Sequence, residues 1–263
     1  MNKENLLILP VRDTAFVNRK MQSFKDELLK LNDVKGVASS ALVPPLMASK
    51  VVFQIEKDSA MVELATSFSI VDHEFIDVMQ MKLVKGRNFD KLVTTDLTKA
   101  FIVNETAARE FGWGENALGK RIRFGLNPAT GTAQRDGEVI GVVKDFHFTS
   151  IHNPIEPFIF VVTKNPNQYF YIRISDKNTT AAIDKVNKVQ QDLGYKLPFN
   201  YFFFGDKLNE MYTAENKLNY LFNIFSLMTI FIACLGLLGL TSYVTEQRAK
   251  ETSLRKIMGA NTG

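Results

Sequence analysis

Read from its amino end, the chain alternates short apolar runs with stretches whose apolar residues recur every three or four positions. Residues 5–11 form a compact apolar run ending near Pro10 and predict a first strand. Asp13 can cap a helix on which Val17, Met21, Phe24, Leu28 and Leu31 are spaced 4, 3, 4 and 3, the stripe of a helix lying on a sheet. Residues 34–43 predict a return strand, stopped by Pro44 and Pro45, and 51–56 and 61–70 predict two more. Much later, 169–174 read as a strand and 179–193 as a helix with Ile183, Val186, Val189 and Leu193 on one face. Residues 199–204 then read as a strand.

Strand, helix, strand, followed by strand, helix, strand, predicts an α+β domain built on a ferredoxin-like split βαβ sheet with its helices on one face. The intervening residues 71–163 then form an inserted α/β lobe. It holds a short helix at 73–79, strand 101–103, helix 105–111, strand 121–124, a loop at 125–136 rich in Gly, Asn, Pro and Thr, and strands 138–143 and 158–162.

A different pattern closes the chain. Residues 218–245 carry no charge, and 224–243 are apolar nearly throughout. Some 20 helical residues span roughly 30 Å, the thickness of a bilayer's hydrocarbon layer. The segment predicts a transmembrane helix; the competing reading is the central helix of a large soluble domain. Asp206 is placed to cap a helix that runs without Gly or Pro into the span, giving a rod of about 40 residues and on the order of 60 Å. The expected domains are 1–205 outside the membrane, 206–245 as stalk and span, and 246–263 as a cytoplasmic segment. Arg248, Lys250, Arg255 and Lys256, against Glu246 and Glu251, put the basic excess on the far side of the span, which sets that side as cytoplasmic. Leu254, Ile257 and Met258 beside these charges suggest a short amphipathic helix at the membrane surface, ended by Gly259. A large domain N-terminal to its span needs an export signal, and the first residues lack one, so an earlier span is expected upstream.

Charge adds one exclusion. The chain has 32 basic and 28 acidic residues, and the basic tail supplies half of the net +4. No clustered basic face remains outside it, which argues against nucleic-acid binding. The one cysteine, Cys234, lies within the span, so the outer domain has no disulfide framework, thiolate metal site or thiol nucleophile.

Candidate chemistry is thin. Gly114 through Lys120 meet the glycine and lysine spacing of a phosphate-binding loop, but Arg121 stands where a magnesium-binding hydroxyl is needed. The glycines also follow a helix and lead into a strand, the reverse of the required context. A helix C-cap at Gly112 and a turn at Gly119 account for them better. His147 and His152, with Asp145 nearby, do not have a recurring zinc spacing, and His73 stands apart. Neither a nucleophile elbow nor a pair of catalytic carboxylates is present. The expectation is a protein with no catalytic, metal or cofactor site. The span is more informative: Ser226, Thr229, Ala233, Gly236 and Gly239 form a small-residue stripe suited to close packing of another helix.

The string TEQRAKETSLRKIMGA directly after CLGLLGLTSY resembles the segment following the second helix of a permease half in MacB/FtsX-type ABC transporters. GRNF at 86–89, FIVNETAAREFGW at 101–113, LGKRIRF at 118–124 and IGVVKDFHF at 140–148 are similar to the MacB-like periplasmic core domain, most nearly in its Bacteroidota form. The resemblance covers nearly the whole chain. It implies a non-enzymatic permease subunit in the bacterial inner membrane, with a periplasmic domain between the first and second helices of a four-helix unit. A separate cytoplasmic ABC ATPase would dock at Glu246, Arg248, Lys250, Glu251, Arg255 and Lys256. A second permease unit, in the same chain or as a dimer, and a periplasmic adaptor or envelope protein are the other implied partners. The alternative is a membrane-anchored sensor or scaffold ectodomain that works without an ATPase.

Overall fold

A computed structural model describes residues 5–257 except 12, 44–48, 59, 127–129, 131, 148–153, 165–167, 176–178 and 196. The side chains of 14, 15, 17, 18, 49, 211–219 and 255–257 are also outside it. His152, Pro44, Pro45, Met258 and Gly259 therefore lie outside the described residues. Residues 1–209 form one compact unit and 210–263 a second.

The first unit is α+β. Strand β1 (Leu6–Pro10) leads into α1 (Thr14–Leu29), then β2 (Val34–Ser40). Near the unit's end come β10 (Tyr169–Ile174), α5 (Thr179–Asp192) and β11 (Phe202–Phe203). The strand order is β11-β1-β10-β2, antiparallel throughout, so β10 separates β1 from β2 and β1 separates β10 from β11. Asp13 caps α1, its Oδ1 accepting from the Phe16 N–H at 2.9 Å. Met21, Phe24 and Leu28 of the expected stripe are buried against Leu7, Leu9, Phe170 and Ile172, with Val186 of α5 beside them. The opposite face is covered by α2 (Phe75–Val78): Phe75 meets the Tyr171 ring edge-on at 5.0 Å, and Arg173 Nε donates to Val78 O at 2.7 Å.

The strands between complete a ring. They are β3 (Ser49–Lys57), β4 (Ala60–Val71), β6 (Ala100–Asn104), β7 (Arg121–Leu126), β8 (Ala133–Val143) and β9 (Phe158–Val162), with β5 (Leu83–Gly86) added outside β8. Pairing runs β4-β3-β7-β8-β6-β9, and β9 returns to β4 in parallel through Ser67↔Phe158 to Val71↔Val162. Strands β3 and β4, which precede the expected lobe boundary at 71, belong to this ring. Its interior is filled by alternate residues such as Phe53, Ile55, Phe101, Val103, Ile122 and Ile159. Helix α4 (Glu105–Glu110) closes one end with Ala107, Phe111 and the following Trp113.

The motifs singled out in the sequence meet on this ring. Asn104 is fully buried; its Oδ1 accepts from the N–H groups of Ala107 (3.0 Å) and Phe158 (2.9 Å), and its Nδ2 donates to Glu156 O (3.0 Å). Asp145 accepts from the N–H and hydroxyl of Thr106 at 2.8 and 2.7 Å, tying β8's exit to the first turn of α4. Trp113 Nε1 donates to Glu56 O at 2.5 Å. At Gly141 an added Cβ would lie 2.4 Å from Arg87 O, so the two strings containing these residues touch through backbone.

Four expectations change. The last strand shrinks to Phe202–Phe203, the two residues that pair with β1, and helix α6 (Phe204–Ile257) begins at Phe204, which puts Asp206 inside the first turn, where its charge suits the helix dipole. The expected loop at 125–136 is partly a hairpin, with Leu126 opposite Ala133. Its strand residues are polar, so alternation gave no signal; the Arg121 and Arg123 bonds to Asp136 form only once the strands pair. β5 and the short helix α3 (Asp96–Lys99) were not anticipated, being four residues each. Finally, 246–257 are not a separate helix: α6 passes through them unbroken, since no Gly or Pro lies between Gly239 and Gly259.

Candidate functional site along the last helix

Within the second unit, α6 offers one helix long and apolar enough to cross a membrane, Tyr220–Leu254, with none of its apolar window buried. Leu227 is 70 % exposed and Ile232 68 %. A central helix of a soluble core would have these side chains covered, and among the described residues they are not, which supports the spanning reading. Tyr220 and Tyr243 bracket the apolar stretch 23 residues apart, about 35 Å along the helix, which matches the two headgroup boundaries where tyrosine concentrates. The threonine hydroxyls are satisfied by their own helix: Thr229 donates to Phe225 O (2.8 Å), Thr241 to Leu237 O (2.8 Å) and Thr245 to Thr241 O (2.7 Å). This leaves no threonine donor seeking water within the apolar layer.

Ser226, Thr229, Ala233 and Gly236 fall within roughly 80° of one another around the helix, and Gly239 lies about 60° further round. A Cβ added at Gly236 or Gly239 meets nothing within 4 Å. Neither glycine is required by a contact inside this chain, although each weakens a helix interior by about 1 kcal/mol relative to alanine.

Beyond the span, Lys250 Nζ and Glu246 Oε1 pair at 2.7 Å with both side chains largely exposed, an i,i+4 bond worth about 0.3–0.5 kcal/mol. Arg248 and Glu251 are exposed, and the side chains of Arg255 and Lys256 lie outside the described residues. At 100° per residue the six charges are distributed around the helix rather than confined to one face.

The decoy sites resolve into structure. Gly112 (φ +79°) follows the C-cap of α4, and Gly119 (φ +77°) turns the chain into β7. Lys120 Nζ bonds Glu56 Oε1 at 2.7 Å, and this bond, with one from the Arg121 N–H to Oε2, holds the Glu56 carboxyl below its ordinary range. Asp145 is committed to Thr106, and no group of three or more His, Cys, Asp or Glu with metal-binding placement exists among the described residues. A buried carboxylate and a half-buried guanidinium are among the groups that escaped the sequence reading. Asp96 receives a bidentate bond from Arg87 (2.6 and 2.7 Å); burial opposes its ionisation, but Arg87 and the Asp90 N–H prevail and hold it below the ordinary value. Arg135 donates to the carbonyls of Asp96, Leu97, Ala100 and Val162, and desolvation lowers its guanidinium to about 10.

The family model of the MacB-like periplasmic core domain matches residues 2–189. No curated protein gives a significant match. Among solved structures, the periplasmic region of MacB from Actinobacillus actinomycetemcomitans is similar at 17% identity and a TM-score of 0.54, covering 80% of this chain and 94% of that one. The extracellular domain of the noncanonic ABC-type transporter YknZ from Gram-positive bacteria is similar at 13% identity and a TM-score of 0.49, covering 74% and 97%. The first of these likenesses is one of fold.

Proposed function

Because the chain belongs to the MacB-like periplasmic core domain family, we propose that it is a permease subunit of an ABC-type efflux or mechanotransmission complex. The observation that carries this is continuity: the matched domain is followed by a single 54-residue helix that includes an apolar stretch of bilayer length. In this reading residues 1–205 are periplasmic and contain a ferredoxin-like sheet, as the order β11-β1-β10-β2 supports. Residues 206–245 are the stalk and span, crossing the inner membrane with the C-terminus cytoplasmic. The 246–263 segment, through Glu246, Arg248, Lys250, Glu251, Arg255 and Lys256, is the dock for a separate ABC ATPase. The stripe from Ser226 to Gly239 packs against another membrane helix, and a second permease unit and a periplasmic adaptor complete the assembly. The subunit itself performs no chemistry; a helix without a break is suited to carry displacement from one side of the bilayer to the other.

A photo-crosslinker at position 255 of the membrane-inserted protein, with and without trapped ATP, tests this. The expected result is a nucleotide-sensitive adduct to an ATPase subunit. Efficient crosslinking that never captures an ATPase would instead favour the anchored sensor or scaffold.

A further inference from the structure

From Ala60 to Thr66, strand β4 has a described strand on one side only. β3 runs along it without a register shift from Ser49↔Phe68 to Lys57↔Ala60, whereas β9 joins the other side first at Ser67↔Phe158. Pro154 and Pro157 stand just before β9 and have no N–H with which to extend that ladder. Successive residues of a strand direct their N–H and C=O to alternate sides. Val71 O accepts from the Thr163 N–H on the β9 side, and Ile70 O from the Ala41 N–H beyond β2, each at 2.9 Å. By the same alternation Met61, Glu63 and Ala65 turn their backbone groups to the open side, and none of these bonds another described residue.

An edge protected from pairing carries several charges, a bulge or a proline. This one carries Val62, 43% exposed, and Leu64, 38% exposed, which are paired with Ile55 and Phe53 and continue the apolar face of the ring. On the opposite face Val52 is exposed beside exposed Ala65. Glu63 is the single charge between Ala60 and Thr66; it is exposed, with Gln54 Nε2 3.3 Å from its Oε1.

That charge decides what can add to the edge. In a second copy paired antiparallel about a two-fold axis, all three outward residues bond only when the axis passes through position 63, which sets Glu63 against Glu63. Like charges directly opposite are unfavourable, and moving the axis by one residue leaves Met61 or Ala65 unpaired. We propose that the edge from Met61 to Ala65 is a docking site for one extended segment of a different protein. The segment adds antiparallel to β4, carries a lysine or arginine opposite Glu63 and lays apolar side chains over Val62 and Leu64. That this partner is an envelope protein rests on the permease reading above; the addition of a strand does not.

The probe is a capped, fluorophore-tagged peptide of the order threonine-valine-lysine-valine-threonine, added to the detergent-solubilised full chain. Anisotropy should show saturable binding with a Kd below about 1 mM, and amide hydrogen exchange should slow at 61–65. Glutamate in place of the central lysine should weaken binding about three- to tenfold, and Glu63→Lys should reverse that preference. N-methylation of the lysine, whose N–H faces β4 in this pairing, should remove binding, whereas N-methylation of the valines, whose N–H groups face away, should not. Ala65→Pro deletes an outward donor without touching the β3 ladder, and should remove binding while Trp113 fluorescence stays native. No binding to the folded chain, or binding indifferent to both Glu63→Lys and the lysine N-methyl group, would overturn the proposal. So would exchange at 61–65 that slows with protein concentration in the absence of peptide, which would give the edge to a second copy. No ATPase takes part, so either failure leaves the permease assignment untouched, just as a failed ATPase crosslink leaves the strand site untouched.

Discussion

Asn104 joins three parts of the ring, and its removal has a calculable consequence. Asn104→Ala deletes an N-cap, worth about 1 kcal/mol, and strands the Phe158 N–H and Glu156 C=O, at about 1–3 kcal/mol for each buried group left unpaired. The Ala107 N–H is the cap bond itself and is counted there. Some relaxation toward solvent at Glu156, which is partly exposed, brings the expected loss to roughly 3–5 kcal/mol. Trp113, the only tryptophan, sits 6% exposed at the end of the ring that α4 closes, so its fluorescence reports on this region. In a urea titration of the detergent-solubilised chain, with a slope of about 2–3 kcal/mol/M, the midpoint should fall by about 1–2.5 M at unchanged slope. A fall of less than about 0.4 M would refute the reasoning, because it would mean that the three bonds are replaced by others at negligible loss.

Four other outcomes follow from the same structure. Gly141→Ala should destabilise the ring by about 1–3 kcal/mol through overpacking against Arg87 O, whereas Gly236→Ala should leave the ring's urea midpoint unchanged and weaken association of α6 with another membrane helix, read by crosslinking yield. The depressed Asp96 carboxyl stabilises the fold above its ordinary value of 3.8, and that contribution is lost as pH falls through the lower folded value; Arg87→Met should flatten the acid limb of a stability–pH profile. In a Cys234→Ser background, cysteines introduced at 218 and 247 should react with a membrane-impermeant maleimide applied from their respective sides while those at 226–238 stay protected; labelling throughout the stretch would exclude a spanning helix.

The amino-acid sequence by itself determined the features that depend on neighbours a few positions away. The stripe on α1, the cap at Asp13, the helix α5 and the apolar length of α6 are each legible because a helix repeats every 3.6 residues and a bilayer has a known thickness. The strings at 86–89, 101–113, 118–124 and 140–148 pointed to the family without showing why they recur together. Only the tertiary structure decided that they meet on one ring. Strand β4 closes that ring by pairing in parallel with β9, 91 residues later at Ser67↔Phe158, and no local period encodes a partner at that distance. The same holds for Lys25 and Asp72, for Arg87 and Asp96, and for Arg135 with its four carbonyls. In the sequence each reads as an ordinary surface charge, because a charge's partner and its burial are properties of the assembled layers rather than of the residue. The extent of α6 shows the converse: the charges after Thr245 suggested a new element, but helix propensity without a breaker carried the backbone on to Ile257.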